Sequence, residues 1–422
     1  MRTVRMISVS FLLLVVYNQL SAQHVKQNDS LAWKQGYLDI HHISTGRGNA
    51  CFIIFPDGTT MLVDAGDLDT AAMNKALPIK VSPVKPNSSK TAAQWIVNYI
   101  KQVMPAGNKW QIDYALITHY HPDHFGTIEK KTRKSQKGNY KLSGITEVAE
   151  YIPIRKMLDR GYSFPAPVKQ SHKVNYPTFE NYLSFTQQSR ATMITEQLKA
   201  GSDTQIKLNY SPGAYPEFKV RNIKCNGTIW TGNGDETKEF LVADSMLDKK
   251  GEYPENPLSL AIKLSYGKFD YYTGGDNTGL KEYDKAPWFD VETPIANAVG
   301  QVEAMSLNHH GNRDATNGYF LQTLCPKIII GQSWCSDHPG MEVFHRMASS
   351  YWCGEEKLLF ATTVLPETKV TYGPWFVNAY ASMEGHVMIR VKPGGDEYSV
   401  YVIDDKQAKL SIKKVYGPFI SR

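Results

Sequence analysis

Three histidines and an aspartate fall within six positions in the stretch Thr118-His-Tyr-His-Pro-Asp-His124. Imidazole nitrogens and carboxylate oxygens are the donors that zinc and similar divalent cations take, and they must converge on one point to hold an ion. On an extended loop, His119 and His121 are two apart and point the same way, toward one ion. Asp123 and His124 then reach a second ion a short distance off. The chain has 12 histidines in 422 residues, so three of them at this spacing beside an acid are poorly explained as a chance surface cluster.

Other residues of the same kind lie at the ends of apolar runs. Asp276 follows Gly274-Gly275 after a strand-like segment. A carboxylate delivered there, with glycine allowing close backbone approach, suits a ligand bridging two ions. An isolated aspartate at that place would be read as a turn residue, and its weight comes from its company. His309-His310-Gly311 also follows a strand-like run. Both histidines are candidates for the site, one as a ligand of the second ion and the other either supporting a ligand from behind or facing substrate. Asp64 ends Thr60–Asp64 (TMLVD) and is placed to hydrogen-bond a ligand imidazole. His338, in Ser336-Asp337-His338-Pro339-Gly340, sits on a loop before a helix and is expected to face the same cleft. Asp123 and His338 are the candidate catalytic residues, Asp123 orienting the nucleophile and His338 steadying the leaving oxygen. A pair of ions bridged by Asp276 would lower the pKa of a bound water and polarise the scissile carbonyl or phosphoryl group. His41 and His42 lie in a strand, where packing is the ordinary role, and His172, His345 and His386 have no metal-like company.

The elements that must position these groups are legible from periodicity. Residues Tyr37–Ile43 and Ala50–Phe55 read as strands, the Pro56–Thr59 turn reverses the chain, and Thr60–Asp64 returns as a third strand. The pattern Trp95, Ile96, Tyr99, Ile100, Val103 predicts an amphipathic helix over 88–104. The strand Tyr114–Ile117 then delivers the chain into the histidine motif. Later strands are predicted at 218–223, 228–230, 259–265, 268–273, 304–307 and 327–331, with a hairpin of 386–391 and 398–403. Between them lies an expected insertion, about 126–222, carrying a strand-like Tyr151–Ile154 and a helix over 179–198. The order strand, strand, helix, strand implies α/β layering around a central core.

Bulk properties narrow the class. The formal charge of +6 permits an anionic substrate without requiring one. Arg2 and Arg5, the apolar Phe11–Tyr17 and the small-residue exit Ser21-Ala22 read as a signal peptide over 1–22. No later run is long and apolar enough for a membrane span, so the expectation is a secreted or periplasmic protein of one domain, 23–422. Of the five cysteines, Cys325, Cys335 and Cys353 are the expected pairing partners, and Cys51 reads as core. Residues 129–141 carry six basic side chains, a run that is ordinarily a solvated loop but here follows the metal motif directly.

These pieces, in this order, resemble the metallo-β-lactamase superfamily: THYHPDH as its metal signature, LVDAG as its strand-end aspartate and GGD as its bridging carboxylate. They are most similar to the extracellular hydrolase domain of ComEC-like competence proteins. That resemblance extends through YLDIHHISTGRGNACFIIFPDGTTMLVDAG, NPLSLAIKLSYGKFDYYTGGD, LNHHGN and SDHPGMEVFHRM. It implies a four-layer αββα sandwich and a centre of two divalent ions, zinc or manganese. Many members supply a further histidine between the first motif and the bridging aspartate. Here His172 is the only one between His124 and Asp276, and Asn256 stands before the SLAIKLS strand instead. Nothing in the chain resembles the membrane channel of the competence proteins, so DNA uptake is not implied.

Three functions compete. The first is an exported metal-dependent phosphodiester hydrolase, nucleic acid being one substrate. The second is a hydrolase of a small ester or phosphoester such as a phosphocholine ester. The third is a non-catalytic, metal-stabilised binding protein. The expected partners are an anionic small molecule or nucleic acid, and no obligate protein partner is evident.

Overall fold

The computed structural model describes residues 31–69, 78–107, 109–162, 175–240, 254–279, 289–354 and 356–422. The signal-peptide segment and His172 lie outside them. Strands β1 (Leu38–His42), β2 (Cys51–Ile54) and β3 (Thr60–Val63) form an antiparallel meander. Helix α1 (Ala92–Val103) follows, started by a capping box in which Thr91 accepts from the Gln94 N–H and Gln94 reaches back. It buries Trp95, Ile96, Tyr99, Ile100 and Val103, the predicted stripe. Strand β4 (Ile112–Leu116) then pairs in parallel with β3, and a single turn of helix, α2 (Pro122–Phe125), closes the histidine motif.

The segment expected as an insertion supplies integral strands. Helix α3 (Ile145–Tyr151) ends before Pro153, and β5 (Ile154–Asp159) starts after it, so the strand-like reading of Tyr151–Ile154 is shifted. The predicted helix over 179–198 divides into α4 (Tyr176–Gln188) and β6 (Ile194–Gln197). The β-branched Ile194 and Thr195 favour the strand, which pairs in parallel with β5. Strand β7 (Phe218–Cys225) opens the second sheet, with β8 (Thr228–Trp230) and β9 (Thr237–Glu239) beyond it.

Next come β10 (Ala261–Tyr266) and β11 (Phe269–Thr273), helix α5 (Glu292–Val299) and β12 (Ala304–Ser306). Helix α6 (Gly318–Leu324), β13 (Ile328–Gly331) and α7 (Met341–Ala348) continue the alternation. So do β14 (Leu358–Ala361), the short helices α8 (Pro366–Tyr372) and α9 (Pro374–Ala379), and β15 (Tyr380–Ser382). The chain returns to the first sheet through β16 (His386–Val391), β17 (Glu397–Ile403) and β18 (Ile412–Ile420).

Each sheet has nine strands, ordered β18-β17-β16-β1-β2-β3-β4-β5-β6 and β15-β14-β13-β12-β11-β10-β7-β8-β9. The inner faces share one apolar core, in which Ile40, Phe55, Leu116 and Ile389 of the first sheet meet Phe218, Ile262, Tyr271 and Ile330 of the second. A second core joins the first sheet to α1, α3 and α4, and a third joins the second sheet to α5, α6 and α7. The result is the expected αββα sandwich. Among the described residues, no helix is long and apolar enough to cross a membrane.

The topology places the site. Strands β3 and β4 run parallel, as do β11, β12 and β13. Their carboxyl ends therefore emerge together, where Asp64, His119, Asp276, His310 and Trp334 follow them; crevices outside such strand ends are where α/β folds bind ligands.

Candidate metal centre

The histidine loop is seated by backbone contacts. The Asp123 carbonyl accepts from the Asn49 N–H at 2.7 Å, and a Cβ on either Gly48 or Gly66 would meet that oxygen at 2.1 Å. On the other sheet, Gly275 adopts φ +55°, and a Cβ there would meet Thr118 at 2.6 Å. These glycines let the two loops approach closely enough for Asp276 to reach the histidines.

Two groups of donor atoms result, each with its atoms within 4.8 Å of one another. One contains Asp123, His124, Asp276 and His310; the other contains His119, His121 and Asp276. Asp276 belongs to both. Its Oδ1 lies 3.0 Å from His124 Nε2, and its Oδ2 lies 3.5 Å from His310 Nε2 and 3.6 Å from His119 Nε2. The Nε2 atoms of His119, His121 and His124 and the Oδ1 of Asp276 are buried without a hydrogen-bond partner. Buried polar atoms are ordinarily satisfied, so four unpartnered donors aimed into one space fit divalent cations well.

The larger group is braced from outside. Asp64 accepts from the Thr118 N–H at 2.8 Å and the Thr118 hydroxyl at 2.9 Å, and lies 2.7 Å from His124 Nδ1. His310 Nδ1 lies 3.0 Å from the Gln332 carbonyl, and the Trp334 indole N–H donates to Asp123 Oδ2 at 3.0 Å. Anchoring each Nδ1 leaves Nε2 free for an ion, the usual arrangement at metal-binding histidines. The backbone carries strain here: Asp64, His309 and His310 have φ of 60°, 46° and 55°, unusual for residues other than glycine.

The electrostatics favour a cation. Burial opposes ionisation of Asp276, yet the imidazoles of His124, His310 and His309 hold its carboxyl well below the usual range. Burial likewise works against a proton on His310, but Asp276 and Asp123 raise it to about 9. His119 and His121 are pushed down, first by burial, which leaves their lone pairs available.

His309 lies outside both groups. Its Nδ1 is 2.5 Å from Asp314 Oδ1, and its Nε2 is 3.0 Å from Asn256 Nδ2 and 3.8 Å from Asp276 Oδ2. Of the adjacent pair, His310 is the one whose ring joins the donors. Asn256 reaches the site's edge through that contact, and its Oδ1 is buried without a partner. His338 stacks on His310 with centroids 4.8 Å apart and packs against Trp334. It backs a donor ring from a buried position, 3% exposed, rather than standing open in a cleft.

Trp334, Asp314 and Glu255 escaped sequence reasoning. Trp334 follows β13 as Asp276 follows β11, so a search for polar or aromatic residues at every strand end would have found it. Asp314 and Glu255 carry no such signal. The basic run is also recast. Arg133 pairs with Glu147, the Lys137 ammonium donates to the Ala149 and Glu150 carbonyls at the end of α3, and the Lys141 ammonium donates to the Glu129 carbonyl. Lys130, Lys131 and Lys134 remain exposed. Cys325 and Cys353 form a disulfide, and Cys335 is free and buried.

The profile of the Metallo-beta-lactamase superfamily matches residues 44–170, from the loop before β2 through the histidine motif and β5. No curated protein matches the chain. Among solved structures, zinc-bound PqqB from Methylobacterium extorquens is 8% identical at a TM-score of 0.35, over 83% of this chain and 99% of that one. The chain is thus similar to the metallo-β-lactamase superfamily over the part that carries the histidine motif, and its two sheets have the architecture of that fold.

Proposed function

We propose that the protein is an exported, metal-dependent hydrolase of phosphodiesters, nucleic acid among them. The observation that carries this reading is the position of Asp276, shared by two adjacent groups of buried donors. Asp123, His124 and His310 on one side and His119 and His121 on the other, sharing Asp276, would hold two divalent cations, zinc or manganese, which would supply an acidified water and charge stabilisation at the scissile group. His124 and His310 hold their Nε2 atoms toward the shared carboxylate, and Trp334 fixes the Asp123 carboxylate for ion binding and nucleophile orientation.

The phosphodiester assignment is supported by the resemblance to ComEC-like hydrolase domains and by the exposed Lys130, Lys131 and Lys134. Export is supported by the signal-like residues 1–22 and the disulfide, since such bonds persist in oxidising compartments. The test is purified protein with zinc or manganese against single- and double-stranded DNA. Cleavage above a His121→Ala control is expected, and its absence would sink the nuclease reading.

One observation favours a small ester or phosphoester instead. Arg133 and Lys137 are engaged by α3 and Lys141 by the loop's own Glu129 carbonyl, which leaves half of the basic run for a polyanion. Turnover of small chromogenic phosphoesters with none on DNA selects this second reading. One tightly held ion and no turnover in a broad hydrolase screen selects a metal-stabilised binding protein.

A further inference from the structure

The two donor groups are supported unequally. Around Asp123, His124 and His310, each donor side chain has its own outer hydrogen bond, from Trp334, to Asp64 and to the Gln332 carbonyl. On the other side, among the described residues, His119 Nδ1 has the Thr118 hydroxyl at 3.2 Å as its partner, and no third imidazole joins His119 and His121. What holds this arm is its backbone. The N–H of Tyr120, the residue between the two histidines, donates to Glu255 Oε1 at 2.9 Å.

Glu255 is itself gripped by Arg160, through Nε to Oε1 and Nη2 to Oε2, both at 2.7 Å. The Arg160 guanidinium lies 4.8 Å from the centroid of the Tyr120 ring. Both charged side chains are fully buried. Arg160 follows β5 of the first sheet, whereas Glu255 precedes the turn Asn256–Leu258 that leads into β10 of the second. The same turn carries Asn256 to His309, and the Lys224 ammonium holds it from behind through the Pro257 and Ser259 carbonyls. A bidentate Arg–carboxylate pair has a fixed planar geometry, so this bond fixes the direction of the Tyr120 peptide relative to the second sheet, where Asp276 resides.

We propose that the buried Arg160–Glu255 pair is a positioning device that sets the affinity of the ion held by His119, His121 and Asp276, independently of the ion held by Asp123, His124 and His310. This rests on the two-ion reading of the centre but not on any substrate. The pair orients two ligands through the N–H of the residue between them, a task performed at the other ion by hydrogen bonds to side chains.

The test is titration of the metal-free full-length protein with cobalt(II) at neutral pH, read by visible absorption and bound metal. The His121→Ala variant identifies which ion belongs to the histidine pair. In Arg160→Met/Glu255→Leu, which replaces both charges by apolar groups, that ion weakens by about 10- to 100-fold, the range for lost outer partners of metal ligands. The other ion stays within about twofold of wild type, well short of that range. Glu255→Gln keeps an acceptor for the Tyr120 N–H but not the ion pair, and weakens the same ion by a smaller factor. Near-ultraviolet circular dichroism reports whether each variant is folded. Equal weakening of both ions in a folded variant, an unchanged first ion in Glu255→Gln, or a wild-type protein holding one cobalt ion overturns the proposal. Absence of hydrolytic turnover bears on the proposed function alone.

Discussion

The indole N–H of Trp334 donates to the Asp123 carboxylate across 3.0 Å, joining the end of β13 in one sheet to the histidine loop of the other. The same carboxylate oxygen lies 2.8 Å from His310 Nε2, so Trp334 fixes an oxygen already placed among the donors. Trp334→Phe keeps the ring against His338 and removes the hydrogen bond. Affinity for the ion of the Asp123–His124–His310 group is expected to fall about 10- to 100-fold, measured by competition with a chromogenic chelator. Unchanged affinity would show that the indole only packs.

Stability should fall on mild acidification because of histidines far from the metal donors. His42 bonds the Tyr271 hydroxyl at 2.8 Å, and His386 accepts from the Ser44 N–H at 3.0 Å. Burial, first among the causes, depresses both from 6.5 to about 4. A histidine depressed in the fold binds its proton first in the unfolded chain, so stability present above pH 6.5 is lost as pH falls toward 4. By about pH 5 the loss is on the order of 2 kcal/mol for each residue. Urea midpoints of the parent and of His42→Asn and His386→Asn, compared at neutral pH and about pH 5, isolate this contribution. Variants with the parent's full acid sensitivity would refute the assignment.

The Cys325–Cys353 disulfide closes a loop with a sequence separation of 28, tying the end of α6 to the segment before β14. Chain entropy alone makes it worth about 3 to 4 kcal/mol. The double variant Cys325→Ala/Cys353→Ala should lose stability of that order in denaturant, with the metal content retained. Buried Cys335 should stay unreactive toward a thiol reagent until the protein unfolds, since burial pushes its thiol up to about 12. Rapid labelling of the native protein would contradict this.

Charge reversal at Lys130, Lys131 and Lys134 separates the two substrate classes. If phosphodiester polyanions are bound there, the triple Glu variant loses DNA affinity and the salt slope of binding falls by about 2 to 3. Turnover of a small phosphoester stays unchanged in the same variant. A DNA salt slope equal to the parent's would remove this loop from the substrate path.

Local physics made much of this protein legible in the sequence. The Trp95–Val103 stripe specified α1, and short apolar runs bounded by turns specified β1 to β4, β10, β11 and the β16–β17 hairpin. The spacing of His119, His121, Asp123 and His124 sufficed to nominate a metal loop, because ligands close in the chain need only a turn to meet. Boundaries within 151–198 were less clear, since a strand such as β6 is selected by its neighbour β5 as much as by its own residues.

Tertiary structure decided what joins that loop. The sequence left His309 and His310 equivalent, and only the fold of the Asn308–Gly311 turn, with positive φ at both histidines, sends one ring to Asp276 and the other to Asp314. Trp334, Gln332, Glu255 and Arg160 were invisible as site residues because their roles depend on two sheets meeting face to face, a relation with no local signature. The sequence by itself nominated the donors of a candidate metal centre, and the parallel strand ends determined which of them gather around Asp276. That division has a simple cause. Periodicity and ligand chemistry act over a few residues, whereas convergence of loops 152 residues apart in the chain, such as His124 and Asp276 at 3.0 Å, is fixed only by the packing of the sheets.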